Sequence, residues 1–205
     1  VTLSKQLRKY FVMGSQDTDR DPEAVLEEAI EAGVTAFQYR EKGTGSLEGE
    51  AKHELGRKLR SLCREKGILF IVNDDLDMVE PLEADGIHVG QEDISVEVIR
   101  SQFPDKILGL SVSTEQEVIQ SSLEKVDYLG AGPVFQTSTK EDAKPVVGTV
   151  WIKQLREAYP NLPIVGIGGI NTGNASLVIE AGAAGVAVVS AITHAESIAE
   201  AVKRL

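Results

Sequence analysis

Two apolar runs within "IVNDDLDMVEPLEADGIHVGQEDIS", residues 71–95, stop at carboxylates: Asp74 follows Asn73, and Asp93 follows the run Ile87-His88-Val89. The stretch contains no Lys or Arg. Cations stand after other apolar runs. Gln38, Arg40 and Lys42 alternate along "FQYREK", and Lys140 follows Thr137 and Thr139 in "QTSTK". Hard oxygen ligands on neighbouring loops can hold Mg²⁺ together with substrate phosphates. Arg40, Lys42 and Lys140 would then neutralise the remaining negative charge. Gly168-Gly169 and the small residues around Val189-Ser190 would let backbone N–H groups approach a phosphate. No Ser/His/Asp order and no Cys/His spacing supports acyl transfer or zinc chemistry. Each feature also has a plainer reading. Asp74-Asp75 can cap a helix, Gln38, Arg40 and Lys42 can form the wet stripe of an edge strand, and Gly168-Gly169 can serve a tight turn. His88 reads equally as a satisfied interior histidine or a site residue.

The elements around these residues decide between the readings. Strand-length runs alternate with segments of helical period along the whole chain. "YFVM" ends at Gly14, and "DPEAVLEEAIEAG" follows with Val25, Leu26, Ala29 and Ile30 on one face, an acidic first turn and Gly33 as C-cap. "TAFQYRE" precedes a long helix over 46–66 closed by Gly67; "ILFIVND" precedes a short helix over 76–84. "GIHVGQ", "KILGLSV", "VDYLGAGPVF", "PIVGIGG" and "GVAVVSA" complete the strands, with helices between them at 95–103, 114–125, 149–159 and 173–182 and a last one at 195–205. Ser95 and Thr114 are placed as N-caps. Eight strands in strict alternation with helices imply parallel pairing through right-handed crossovers, and predict an α/β fold: a (β/α)8 TIM barrel. A doubly wound sheet is the weaker alternative, because the first strand ends in the single Gly14 rather than a glycine fingerprint. In a barrel the strand ends converge on one face. Gln38, Arg40, Lys42, Asn73, Asp74, Asp93, Ser111, Thr137, Thr139, Lys140, Gly169 and Ser190 would meet there. The loop over 136–148 is the longest connection.

No linker or composition break divides the 205 residues, so one domain spanning 1–205 is expected. The net charge of −11 argues against a nucleic-acid partner. No apolar run approaches the roughly 18 residues of a membrane span. The one cysteine, Cys63, follows Leu59 and Leu62 at helical spacing and reads as a core thiol. It can form no internal disulfide, which together with the lack of a signal-peptide pattern suits a cytoplasmic location. The barrel's outer faces are compatible with a homo-oligomer.

The segments "FQYREK", "FIVNDDLDMVEPLEADGIHVGQED", "ILGLS", "DYLGAGPVFQTSTKEDAKP", "LPIVGIGGIN" and "AGAAGVAVVSAI", in this order, resemble the thiamine-phosphate synthase family. The resemblance extends from the second strand to the eighth. It implies a (β/α)8 transferase that joins a pyrimidine diphosphate to a thiazole phosphate and releases pyrophosphate. It implies that Gln38, Tyr39, Arg40, Glu41, Lys42, Asn73, Ser111 and Lys140 hold the pyrimidine diphosphate, with Arg40, Lys42, Lys140 and Ser111 serving catalysis. Thr137, Ser138, Thr139, Gly169, Val189 and Ser190 would hold the thiazole phosphate, and Asp74 and Asp93 would bind Mg²⁺. Ser113 stands where many relatives carry His. A sister family of thiazole tautomerase type carries a catalytic His where this chain has Pro133, and a sugar-phosphate barrel enzyme would leave Asp74 with Asp93 unexplained. A non-catalytic ligand-binding relative is the remaining alternative.

Overall fold

A computed structural model describes residues 1–140 and 144–205. Eight parallel strands close into a barrel in sequence order: β1 (Lys9–Met13), β2 (Ala36–Tyr39), β3 (Leu69–Asn73), β4 (Gly86–Val89), β5 (Ile107–Val112), β6 (Tyr128–Ala131), β7 (Ile164–Ile167) and β8 (Gly185–Val188). The pairing of Lys9, Tyr10 and Phe11 with Val186, Ala187 and Val188 closes the ring. A closed ring has no edge strand, so a polar stripe on β2 cannot be explained as edge decoration.

Strand parity organises the core. Tyr10, Val12, Ala36, Ile71, Tyr128, Val165 and Ala187 form the buried cluster inside the barrel. Their alternates, among them Phe11, Met13, Phe37, Tyr39, Phe70 and Val72, pack in the separate cluster beneath the helices. Side chains one residue apart on a strand point to opposite faces. The same parity, carried past the end of β2, governs Arg40, Glu41 and Lys42.

The helices surround the ring: α1 (Leu3–Gln6), α2 (Pro22–Ala32), α3 (Gly49–Lys66), α4 (Val96–Gln102), α5 (Glu115–Gln120), α6 (Gly148–Ala158), α7 (Ala175–Glu180), α8 (Ser190–Thr193) and α9 (Ile198–Lys203). In α2 the Asp21 carboxylate accepts from Ala24 N at 3.3 Å, Pro22 begins the helix, and Gly33 ends it at φ 121°. Val25, Leu26, Ala29 and Ile30 are its buried face, as the helical spacing requires. Ser95 caps α4 and Thr114 caps α5 through their hydroxyls. Cys63 is fully buried on α3, and burial pushes its thiol up to about 12.

Several boundaries differ from the sequence reading. The long helix starts at Gly49 rather than at residue 46, because Gly43, Gly45 and Gly49 all take positive φ and turn the chain before it. The expected helix over 76–84 is a 3-10 turn, Leu76–Met78, and Pro81 lacks the N–H that would extend it. The segment over 114–125 splits into α5 and a 3-10 turn, Leu123–Lys125. Strand β6 stops at Ala131, before the cis Gly132–Pro133 peptide, and β8 stops at Val188, so Ser190 opens α8 instead of ending a strand. Helix α1, before the first strand, was not foreseen.

Candidate active site

The C-terminal strand ends enclose a cavity of about 240 Å³. Gln38, Arg40, Lys42, Asn73, Asp74, Asp93, Ser111, Thr137, Thr139, Lys140, Gly169, Val189 and Ser190, all singled out from the sequence, line it together. Three others do not. Tyr39 is buried beneath the helices, and its hydroxyl donates to Lys52 O at 2.9 Å. Glu41 is buried too; its carboxylate accepts from Ser15 N and Leu47 N, each at 2.8 Å, and from the Ser15 hydroxyl. Both have odd parity on β2, so they face outward while Gln38, Arg40 and Lys42 face the cavity. A contiguous sequence motif cannot show that split. Ser138 is exposed and outside the lining, between Thr137 and Thr139, which are in it. The 136–148 loop can be followed as far as Lys140 and again from Lys144; the part of the loop expectation that concerns residues 141–143 lies outside the described residues.

The two neighbouring carboxylates after β3 divide their work. Asp75 is the one that caps the 3-10 turn, accepting from Asp77 N at 3.2 Å, and it also pairs with Lys52 at 2.8 Å. Asp74 is released to the cavity. Its backbone is left-handed, φ 47°, a conformation that costs an L-residue roughly 1–2 kcal/mol but that Asp tolerates better than most. Its N–H donates to His88 O at 2.9 Å, which holds the turn. The Asp74 carboxylate meets the Lys42 ammonium at 2.6 Å. That bond, with Asp93 adding a smaller electrostatic contribution, raises the Lys42 pKa and keeps the amine charged. Asp93 is oriented by Gly90 N, which donates to its Oδ2 at 2.7 Å. Among the described residues no group of three or more His, Cys, Asp or Glu side chains could by itself cage a metal.

On the opposite wall, β7 ends in Gly168 and Gly169 with φ of 100° and 63°. A Cβ on Gly169 would lie 2.4 Å from Gln136 O, so the turn and the segment after β6 touch backbone to backbone. Val134 N and Phe135 N donate to Ile167 O and Gly168 O at 2.9 and 3.0 Å, and Asn174 Nδ2 donates to Gly169 O at 3.0 Å. This is a glycine-lined cup braced by these bonds, and Ser190 at the start of α8 lines the same cavity. Its shape fits a compact anion on N–H donors.

The cavity floor was largely missed by the sequence reading. Tyr10, Tyr128 and His88 lie there, and each is buried. Gln38 Nε2 donates to Tyr10 Oη at 2.8 Å, Tyr10 Oη lies 2.7 Å from Tyr128 Oη, and His88 bridges Tyr128 Oη at 2.9 Å and Ser111 Oγ at 2.8 Å. Burial, with Lys140 adding a smaller repulsion, pushes the His88 pKa down to about 3, so the ring is neutral at physiological pH. Inward parity of Tyr10 on β1 and Tyr128 on β6 was the one available sequence signal. Asp17, also on the wall, has its pKa raised by burial against the opposing pull of Gly14 N–H and Arg40. Ser113 lines the cavity, but its hydroxyl donates to Gly132 O at 2.6 Å and ties β5 to the turn after β6.

The sequence matches the family model described as "Thiamine monophosphate synthase" over residues 9–192. It is 58% identical over 199 residues to a protein named thiamine-phosphate synthase from Oceanobacillus iheyensis, covering 97% of each chain. A Bacillus cereus protein of the same name is 50% identical over 203 residues, 99% of this chain and 93% of that one. Among solved structures, thiamine phosphate pyrophosphorylase from Pyrococcus furiosus superposes with a TM-score of 0.88 at 35% identity, covering 100% of this chain and 96% of that one. The chain therefore belongs to the thiamine monophosphate synthase family, and it is a transferase of thiamine biosynthesis.

Proposed function

We propose that the enzyme condenses an aminopyrimidine bearing a diphosphooxymethyl group with a thiazole phosphate, giving thiamine phosphate and pyrophosphate. One observation carries this reading: a single cavity pairs a Lys42–Asp74–Asp93 cluster on one wall with a glycine-lined anion cup on the other. Two anionic substrates need two such places. The alternatives fit less well. A tautomerase of the sister family would need a basic side chain where Pro133 stands, and a sugar-phosphate isomerase has no use for the carboxylate–lysine wall.

Asp74 and Asp93 suit Mg²⁺: both are hard oxygen donors on one wall, and Lys42 already answers their demand for a cation. Two carboxylates cannot complete an octahedral shell, so diphosphate oxygens and water would supply the rest. When bound, Mg²⁺ would offset charge on the departing diphosphate. Arg40, Lys42 and Lys140 act on the same charge. The methylene C–O bond breaks with its electron pair leaving on the diphosphate, and the electron-rich ring stabilises the resulting cation. The thiazole nitrogen then forms the new C–N bond. No protein nucleophile is required; Ser111 Oγ lies 2.8 Å from His88 Nε2 in the cavity, and that pair serves binding rather than nucleophilic attack. Gly169, Val189, Ser190, Thr137 and Thr139 hold the thiazole phosphate, so that its nitrogen waits in line with the methylene.

The test is a pyrophosphate-release assay with each component left out in turn. Release should require the pyrimidine diphosphate, the thiazole phosphate and Mg²⁺. Undiminished release without the thiazole phosphate, or after chelation of all divalent cations, would sink the corresponding part of the reading.

A further inference from the structure

The five-residue chain across the cavity floor has a direction. Gln38 Nε2 is a pure donor, so Tyr10 Oη accepts from it; Tyr128 Oη, 2.7 Å away, is then the acceptor within reach of the Tyr10 proton. Tyr128 then donates to Nδ1 of His88. A neutral imidazole with Nδ1 as acceptor carries its proton on Nε2, which donates to Ser111 Oγ. The Ser111 hydroxyl proton is then free to point into the cavity, and at the other end the Gln38 carbonyl oxygen is the part of the amide left for a ligand. Reversing the Gln38 amide reverses every link: Ser111 would donate to His88 and offer the ligand only lone pairs. The chain is thus fully satisfied in two senses; a mixture, in which one tyrosine oxygen accepts from both neighbours, leaves that tyrosine's proton with no acceptor in the chain.

The barrel makes room for this chain. A Cβ on Gly109 would lie 2.2 Å from Tyr128 Cζ, and one on Gly130 would lie 3.1 Å from His88 Cε1. Gly109 and Tyr128 are register partners on β5 and β6, so the tyrosine ring lies over the space that the missing side chain leaves.

We infer that Tyr10, Tyr128 and His88 are positioning residues that couple Gln38 to Ser111 and fix the subsite's polarity, Gln38 accepting from the ligand and Ser111 donating to it. This rests on the reading of Gln38 and Ser111 as pyrimidine diphosphate contacts. That substrate offers a matching pair: an exocyclic amine as donor, and diphosphate oxygens and ring nitrogens as acceptors. A 4-oxo analogue presents a carbonyl where the amine was. With its carbonyl end toward the ligand, Gln38 meets that carbonyl acceptor to acceptor; turning the amide to present Nε2 makes the chain withdraw the Ser111 proton from the other contact. The analogue is penalised at both ends, although Gln38 and Ser111 make no hydrogen bond to each other. The chain is therefore a specificity device selecting amino- over oxo-pyrimidines.

Two measurements test it. The first is the His88 tautomer, read from imidazole ¹⁵N shifts in the ligand-free protein and assigned with His53→Gln and His194→Gln variants. Nε2–H is expected, and Nδ1–H overturns the inference whatever the enzyme does. The second is the preference for the aminopyrimidine diphosphate over its 4-oxo analogue in direct titration. Tyr128→Phe cuts the chain while keeping the ring, and should reduce that preference by about tenfold. Tyr10→Phe cuts it one link away, should act in the same direction, and serves if Tyr128→Phe does not fold. An unchanged preference in a folded variant of either, while Ser111→Ala and Gln38→Ala weaken binding, makes the chain structural only and overturns the inference. If Ser111→Ala and Gln38→Ala leave diphosphate binding intact, the reading of the pocket fails first and the specificity role falls with it.

Discussion

Gly169→Ala tests the anion cup with a single methyl group. Gly169 has φ 63°, where an alanine costs roughly 1–2 kcal/mol of backbone strain. Its Cβ would also lie 2.4 Å from Gln136 O and 2.9 Å from the Phe135 carbonyl carbon. Those are main-chain atoms and cannot rotate aside, so the segment after β6 must retreat. That segment is tied by Phe135 N to Gly168 O at 3.0 Å, and weakening one or two such bonds costs about 1 kcal/mol each. The sum is about 2–4 kcal/mol, or roughly 4–16 °C in Tm for a domain of this size. Thr137 and Thr139 ride on the displaced segment. A misplacement of about 1 Å costs on the order of 10²-fold in turnover, and it should fall on use of the thiazole phosphate. Pyrimidine diphosphate contacts on β2 to β5 stand apart from the clash; Lys140, next to Thr139 on the displaced segment, does not, so a smaller loss in use of the diphosphate is expected beside the larger one. The assay is pyrophosphate release with each substrate varied in turn, beside a thermal melt. A Tm within a degree of wild type, with kcat/KM for the thiazole phosphate unaltered, would mean that the cup is neither rigid nor a phosphate site.

Asp74→Ala and Asp93→Ala should each lower turnover by about 10²–10³ at limiting Mg²⁺ while the protein stays folded; near-wild-type turnover in both variants removes the metal role. Ser190→Asp sets a carboxylate in the lining where a phosphate is proposed, so binding of the thiazole phosphate should weaken while titration of the pyrimidine diphosphate alone stays close to wild type; equal loss for both ligands would dissolve the division of the cavity. Acid stability carries the mark of His88, whose folded pKa of about 3 lies below the unfolded value of about 6.5. The unfolded chain protonates first, so the stabilisation is whole above pH ~6.5 and falls by about 1.4 kcal/mol per unit as pH drops toward ~3. Urea melts at pH 7 and 5 should therefore differ by about 2 kcal/mol more in wild type than in His88→Gln; identical pH slopes would show that the imidazole is not held neutral.

Local sequence carries the periodicities, and here they were enough to read the barrel. Alternating apolar runs, caps such as Asp21, Ser95 and Thr114, and closing glycines such as Gly33 and Gly67 are each set within a few residues. Because strand ends converge in any such barrel, Arg40, Lys42, Asn73, Asp74, Asp93, Ser111 and Lys140 could be assigned to one site before any coordinate. Parity places the Tyr39 and Glu41 side chains on the outer face, a split that a contiguous motif does not show. Other outcomes had no local signal. That Asp75 caps the turn while Asp74 faces the cavity depends on Lys52 and His88 from neighbouring elements. The Gln38–Tyr10–Tyr128–His88–Ser111 chain joins five strands, and its two tyrosines stand 118 positions apart. Side-chain type and spacing along the chain decide which face a residue takes; only the closure and stagger of the ring decide which inward-facing atoms come within hydrogen-bonding distance, because that reach is set across strands rather than along them.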